Sequence, residues 1–373
     1  MESVEQLLEK LVAFPTISDR PVTGIAAWMA ERLEHMGLRP ELIPGPGEGK
    51  CNLVVRAGPA DTEGLVLSGH MDVVPVVGQP WTSDPFVLTR RDDRLIGRGS
   101  CDMKAFLAAV LSALPTLPLQ KLQKELVLVF THDEEVGCLG SRALVDLYQE
   151  QGKSLPHTCL IGEPTSFKIF RMHPGHVALR ITCLGQAAHS SKPDLGRNAI
   201  LKATRVIAKL EEISDEWCRD IRFPDMLERP FVVMNVAKIH GGSAVNIVPN
   251  ACVIEVGFRP LPGMEAEALY QQLRERVEAL GEVRAELVRI TPALHTSEGT
   301  ALQGILTPWA CDHRTASAPF ATDGGNLERL GVRTLVFGPG SIDVAHQADE
   351  YVPVGELHRA VDVVRDVVQK VCL

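Results

Sequence analysis

The chain has 373 residues, 38 Lys and Arg against 47 Asp and Glu, and a formal net charge of −9. That balance argues against nucleic acid or an anionic membrane as a partner, because both reward a basic surface. Hydrophobic residues at 45% and charged residues at 23% exclude extended disorder, and the length accommodates two domains around a substantial core.

The opening Met1-Glu2-Ser3-Val4-Glu5 carries acids where a secretory signal carries Lys or Arg. No apolar run approaches a membrane span, so a cytoplasmic protein is expected. Nine Cys without a Cys-x-x-Cys pair fit reduced thiols better than a disulfide framework. Val4, Leu7, Leu8, Leu11 and Val12 lie at helical spacing and predict a helix over 2–13, followed by another over 24–36. Residues 52–55 read as a short strand. The apolar run 65–69 reads as a longer one that ends in His70-Met71-Asp72. A loop with Pro75, Pro80, Trp81 and Pro85 comes next, as a wall of the site. Gly97 to Asp102 then leads into an Ala- and Leu-rich helix over 103–114. Asp102 falls at the N-cap, where free backbone N–H groups favour a carboxylate, so capping and ligation are both open to it.

The organising stretch is the buried strand 125–130, which closes in Thr131-His132-Asp133-Glu134-Glu135. Three adjacent carboxylates where a buried strand emerges repel one another unless a cation lies among them. The same grammar recurs where 158–162 ends at Glu163 and where 334–337 runs through Gly-Pro-Gly to His346. As parallel neighbours, these strands bring their carboxyl ends to one crevice, where open α/β sheets bind ligands.

Beyond Glu163 the pattern changes to strand 176–184, helix 198–213, strands 231–236 and 251–258, helix 265–280 and strand 284–290. This β-α-β-β-α-β order is that of a small ferredoxin-like domain. The strand and loop carrying His346 come after it, so the domain is inserted. The expected organisation is a discontinuous first domain, 1–173 and 291–373, interrupted by 174–290. Helices over 299–313 and 355–371 complete the first domain. The fold class is α/β, a central mostly parallel sheet with helices on both faces, plus the inserted α+β domain.

The candidate ligands are His70, Asp102, Glu135, Glu163 and His346, with Glu134 or Asp133 spare. Mixed His and carboxylate ligands suit zinc or a similar divalent ion, and five exceed what one open catalytic site uses. Two ions sharing a bridging carboxylate account for the surplus and would activate water and polarise a carbonyl. Adjacent acids on an extended chain point to opposite sides, so Glu134 and Glu135 divide into a ligand and a proton acceptor. Asp72 either receives the imidazole N–H of His70 that the metal does not use, or is an ordinary turn residue. Cys101 and Cys138 lie near the candidate site and read as small packing residues.

Ser68-Gly69-His70-Met71-Asp72-Val73-Val74-Pro75, Gly97-Arg98-Gly99-Ser100-Cys101-Asp102-Met103-Lys104 and Asp133-Glu134-Glu135 together resemble the signatures of the dinuclear zinc aminoacylases and exopeptidases. The likeness runs over almost the whole chain. The segments Thr131 to Gly140 and Gly338-Pro339-Gly340 through Glu350 are most similar to the acetylornithine deacetylase branch. Ala105 departs from the family pattern, which has Gly after Asp-Met-Lys. The resemblance implies that Asp102 bridges two zinc ions, which cobalt can replace. His70 and Glu163 complete one site, and Glu135 and His346 the other. Glu134 is then the general base and Asp72 orients His70. The inserted domain becomes a lid and dimerisation domain of a homodimer. Its His189 stabilises the oxyanion, Arg259 holds the substrate α-carboxylate and Asn246 contacts substrate. On the residues alone, His189 reads as a loop histidine and Arg259 as a strand-end surface charge.

The expectation is a metal-dependent amidohydrolase that removes acetyl from the α-nitrogen of a small acylated amino acid, N-acetyl-L-ornithine first, in arginine biosynthesis. A succinyl-diaminopimelate desuccinylase or a dipeptidase would use the same centre, and a non-catalytic binding protein could keep the fold.

Overall fold

Strands that open on an apolar run with no polar alternation must be covered on both faces, and two such strands lie side by side in the main sheet. Leu65–His70 and Leu126–Thr131 are buried throughout and pair in parallel, Leu65 opposite Leu126 and His70 opposite Thr131. The computed structural model describes residues 2–18, 20–60 and 63–373. In the main sheet Thr158–Ile161 continues in parallel beside Leu65–His70, and Arg333–Val336 beside Thr158–Ile161. Cys51–Ala57 and Arg39–Pro44 extend the sheet antiparallel beyond Leu126–Thr131. Four parallel strands therefore point their carboxyl ends the same way.

The helix Lys104–Ala113 is buried along almost its whole length, between strand Leu65–His70 and the helices Val4–Val12 and Val354–Cys372. Its approach is close. A Cβ on Gly162 would lie 1.8 Å from Phe106 Cγ, so only glycine fits where the strand Thr158–Ile161 leaves the sheet. Helices Thr23–His35 and Leu139–Gln151 pack on Cys51–Ala57. Ser3 begins the first helix with a reciprocal capping box to Gln6.

Two compact units result. The first takes the described residues through Met172, together with His295–Ala316 and Thr322–Leu373; the second is His173–Leu294 with Ser317–Ala321. The second unit is an antiparallel sheet in the order Val233–Gly241, Ala251–Arg259, His176–Leu184, Val283–Thr291. Helices Ala199–Trp217 and Ala266–Glu278 pack on it. Alternating burial along His176–Leu184 and Ala251–Arg259 marks a sheet with one covered face.

Three expectations are corrected. The helix expected over 299–313 is only Ala301–Leu306 followed by a 3-10 turn at Thr307–Trp309, because Pro308 cannot continue it. The strand expected over 231–236 is Val233–Gly241; its outer half is exposed, and pairing with Ala251–Arg259, which no burial pattern reveals, holds it in place. Asp102 is not a helix cap: the helix starts at Lys104 and Met103 occupies the N-cap position. Among the described residues, no helix is long and apolar enough to cross a membrane.

Candidate metal centre

Where the buried strands end, the chain turns sharply and presents its acids. Asp133 adopts a left-handed backbone, φ 52°, which ends the extended run after Thr131. Its carboxylate is drawn away to Lys50 at 2.6 Å and His132 at 3.1 Å, so Asp133 is not the spare acid of the cluster. Glu134 and Glu135 follow, and Asp72 fixes both. Its two oxygens accept the Glu134 and Glu135 main-chain N–H at 3.0 and 3.3 Å, and the Ser18 hydroxyl at 2.8 Å.

Asp72 also orients His70, but through its main-chain oxygen, 2.9 Å from Nδ1, rather than through its carboxylate at 3.7 Å. A carbonyl only accepts, so Nδ1 carries a proton and Nε2 faces the cluster. There Nε2 lies 3.0 Å from Asp102 Oδ1 and 3.7 Å from Glu163. The other Asp102 oxygen lies 3.2 Å from His346 Nε2, which is also 3.0 Å from Glu135. One carboxylate thus faces two imidazoles, one oxygen to each. The donor atoms of His70, Glu134 and Glu163 all lie within 4.8 Å of one another, and so do those of His70, Asp102 and Glu135.

The electrostatics are those of an overcrowded anionic pocket. Burial pushes Glu134 and Glu163 well above the ordinary carboxyl range and Glu135 up to about 7, with neighbouring carboxylates adding to it. Burial would raise Asp102 too, but its hydrogen bonds to His346 and His70 outweigh it and hold the carboxyl well below the usual range. Those same bonds from Asp102 and Glu135 push His346 up to about 10. Burial disfavours the His70 imidazolium, yet Glu163 and Asp102 overcome that and raise it. Four carboxyls share two imidazoles, a conflict that divalent cations remove. The donor set, imidazole nitrogens and carboxylate oxygens with one carboxylate between two sets of donors, fits two such ions.

Several residues that the sequence left without a role in the centre support it. Glu350 is buried and accepts the Cys101 and Asp102 main-chain N–H, both at 2.9 Å, while pairing with buried Arg98 at 2.5 Å. Asp323 is buried beside Glu134, accepts the Thr131 hydroxyl at 2.6 Å, and is raised by burial. Burial pushes the Cys101 and Cys138 thiols well up, so both stay protonated as they pack, the latter donating to Glu134 at 3.4 Å.

His189, Asn246 and Arg259 lie in the second unit. His189 Nδ1 accepts from the Ser191 N–H at 3.2 Å, which leaves Nε2 to carry the proton. Asn246 is next to it in space, its main-chain carbonyl taking the Ser190 N–H at 3.0 Å. Arg259 is the last residue of its strand and lines a cavity of about 260 Å³ with Leu227, Phe231, Val233 and Leu261. Burial and the nearby Arg289 lower its pKa, an environment that favours an anion.

Residues 66–370 match peptidase family M20/M25/M40. The acetylornithine deacetylase of Myxococcus xanthus is 34% identical over 383 residues, spanning 100% of this chain and 98% of its own. That of Edwardsiella ictaluri is 34% identical over 367 residues, 92% of this chain and 91% of its own. Among solved structures, an M20 family metallo-carboxypeptidase from Sulfolobus solfataricus superposes with a TM-score of 0.80 at 18% identity, covering 99% of both chains. A dinuclear metal binding peptidase from Bacillus subtilis does so with a TM-score of 0.65 at 14% identity, over 99% of this chain and 97% of that one.

Proposed function

The chain belongs to peptidase family M20/M25/M40, metal-dependent hydrolases of amides, and we propose that it removes the acetyl group from N-acetyl-L-ornithine to give L-ornithine and acetate, a step of arginine biosynthesis. The observation that carries the reading is the Asp102 carboxylate set between His70 and His346, with Glu135 and Glu163 flanking it, in a chain that spans 98% of the length of a deacetylase relative.

In this reading His70, Asp102 and Glu163 would hold one zinc ion, and Asp102, Glu135 and His346 the other, with cobalt as a substitute. When bound, the two ions polarise the amide carbonyl and activate the attacking water. Glu134 receives the proton of that water and delivers it to the departing α-amine. A carboxyl raised by burial suits both halves of that transfer, since its proton affinity lies nearer neutrality than that of an exposed acid. Asp72 keeps the Glu134 and Glu135 main chain in place while fixing the His70 tautomer. Arg259 supplies a planar two-point donor for the α-carboxylate, and Asn246 a further polar contact. His189 donates its Nε2–H to the oxyanion, which develops only in the transition state. The protein works in the cytoplasm as a homodimer joined through the second unit, which also serves as the lid.

Substrate comparison tests the assignment. kcat/KM for N-acetyl-L-ornithine should exceed that for N-succinyl-diaminopimelate and for simple dipeptides by at least about 100-fold, a difference of roughly 2.7 kcal/mol in transition-state binding. A preference for either alternative overturns the ornithine assignment while leaving the hydrolase in place.

A further inference from the structure

His346 is the most exposed of the residues gathered at the centre, its side chain 49% accessible, and its backbone is left-handed at φ 62°. Neither burial nor backbone preference holds it there. Its imidazole meets Asp102 and Glu135, and its main chain is held by a line of side chains that starts at Asp102. Glu350 Oε1 takes the Cys101 and Asp102 N–H, and its Oε2 takes Arg98 Nη1 at 2.5 Å. Arg98 Nη2 then donates to Gln79 Oε1 at 2.5 Å, and Gln79 Nε2 donates to the His346 main-chain oxygen at 2.6 Å.

The orientation of Gln79 is not arbitrary. Its Oε1 accepts from two donors, Arg98 and the Trp81 indole N–H at 3.0 Å, and that side chain can present only its NH2 to a carbonyl. Arg98 in turn lies over the Trp81 ring, 5.1 Å from its centroid. A single hydrogen-bonded line therefore runs from the main chain of Asp102 to the main chain of His346, through residues far apart in sequence. His70 is placed independently, by a buried strand and by Asp72.

We propose that Gln79, Arg98 and Glu350 are positioning residues that set the spacing between Asp102 and His346, and so govern the affinity of the ion held with Glu135 and His346 while leaving the one held with His70 and Glu163 largely unaffected. This rests on the two-ion reading of the centre.

The test uses Gln79, because removing either member of the buried Arg98–Glu350 pair leaves an unpaired buried charge and can prevent folding. The full chain is stripped of metal and titrated with Zn2+ by calorimetry, as wild type, Gln79→Leu and Gln79→Glu, with the thermal midpoint of each stripped protein recorded. Gln79→Glu still accepts from Arg98 and Trp81 but cannot donate to the His346 carbonyl. Wild type should bind two ions. Both variants should keep one site within about threefold of wild type and weaken the other at least about tenfold, with unchanged midpoints. If both sites keep wild-type affinity, if both weaken alike, or if Gln79→Glu restores the second site, the proposal is wrong. Wild type binding fewer than two ions removes instead the reading on which it rests.

Discussion

At the scale of single residues, the division of labour between Glu134 and Glu135 follows from one backbone feature. The left-handed turn at Asp133 lets two successive acids enter the same cluster: Glu134 toward His70 and Glu163, and Glu135 toward Asp102 and His346. On a continuing strand they would have faced opposite ways. Glu134→Gln keeps the shape and removes the proton acceptor. It should lower kcat by about 10³-fold with metal content unchanged, as read by steady-state kinetics and elemental analysis of the same preparation. A loss smaller than tenfold would remove Glu134 from proton transfer. His70, Glu134, Glu135 and Glu163 were legible in the sequence because each follows an apolar run, a pattern visible one segment at a time, whereas the roles of Asp102 before its helix and His346 beyond a Gly-Pro-Gly loop depended on the resemblance of their segments to a known family. Asp133 could not be told from Glu134 in that way, since the difference is a φ angle and a lysine 83 residues distant. Arg98 and Glu350 stood inside quoted segments, but their role was not legible for a related reason: the partners of Glu350 are 248 to 252 residues away in sequence, and the Arg98–Gln79 bond spans 19, neither spacing being a local signal.

At the scale of elements, the parallel strands explain why the site lies where it does, and the edge strand Val233–Gly241 offers the surface through which the proposed dimer would form. That strand pairs on one side only among the described residues, and it carries exposed Val236 and Ile239. Exposed Val245 and Ile247 follow it in the segment that holds Asn246. An edge with free backbone groups and apolar side chains invites a second strand, and a twofold pairing of edges satisfies both at once. Sedimentation at tens of micromolar should give a dimer for the wild type. Val236→Lys with Ile239→Lys should shift it to monomer, since charge on an edge opposes pairing. A wild-type monomer at that concentration would contradict the dimer and any role of His189 across it. The edge strand was also where boundaries were hardest to read: without a buried face there is no alternation to mark its end. Helix 299–313 failed differently, because Pro308 sits where apolar spacing alone favours continuation.

At the scale of the whole molecule, the sheet concentrates negative charge at one buried place and relies on cations to make that charge useful. The raised Glu134, Glu135 and Glu163 and the raised His70 and His346 are two expressions of that dependence. The most direct measurement is therefore hydrolysis of N-acetyl-L-ornithine, followed by acetate release, on protein stripped by a chelator and then resupplied with zinc or cobalt. Activity should fall by at least about 10³-fold on stripping, consistent with several kcal/mol of lost electrostatic stabilisation, and return on addition of two equivalents of either metal. Undiminished hydrolysis by verifiably metal-free protein would contradict the metal-dependent account, and absence of hydrolysis by protein verified to hold two ions would contradict the acetylornithine assignment.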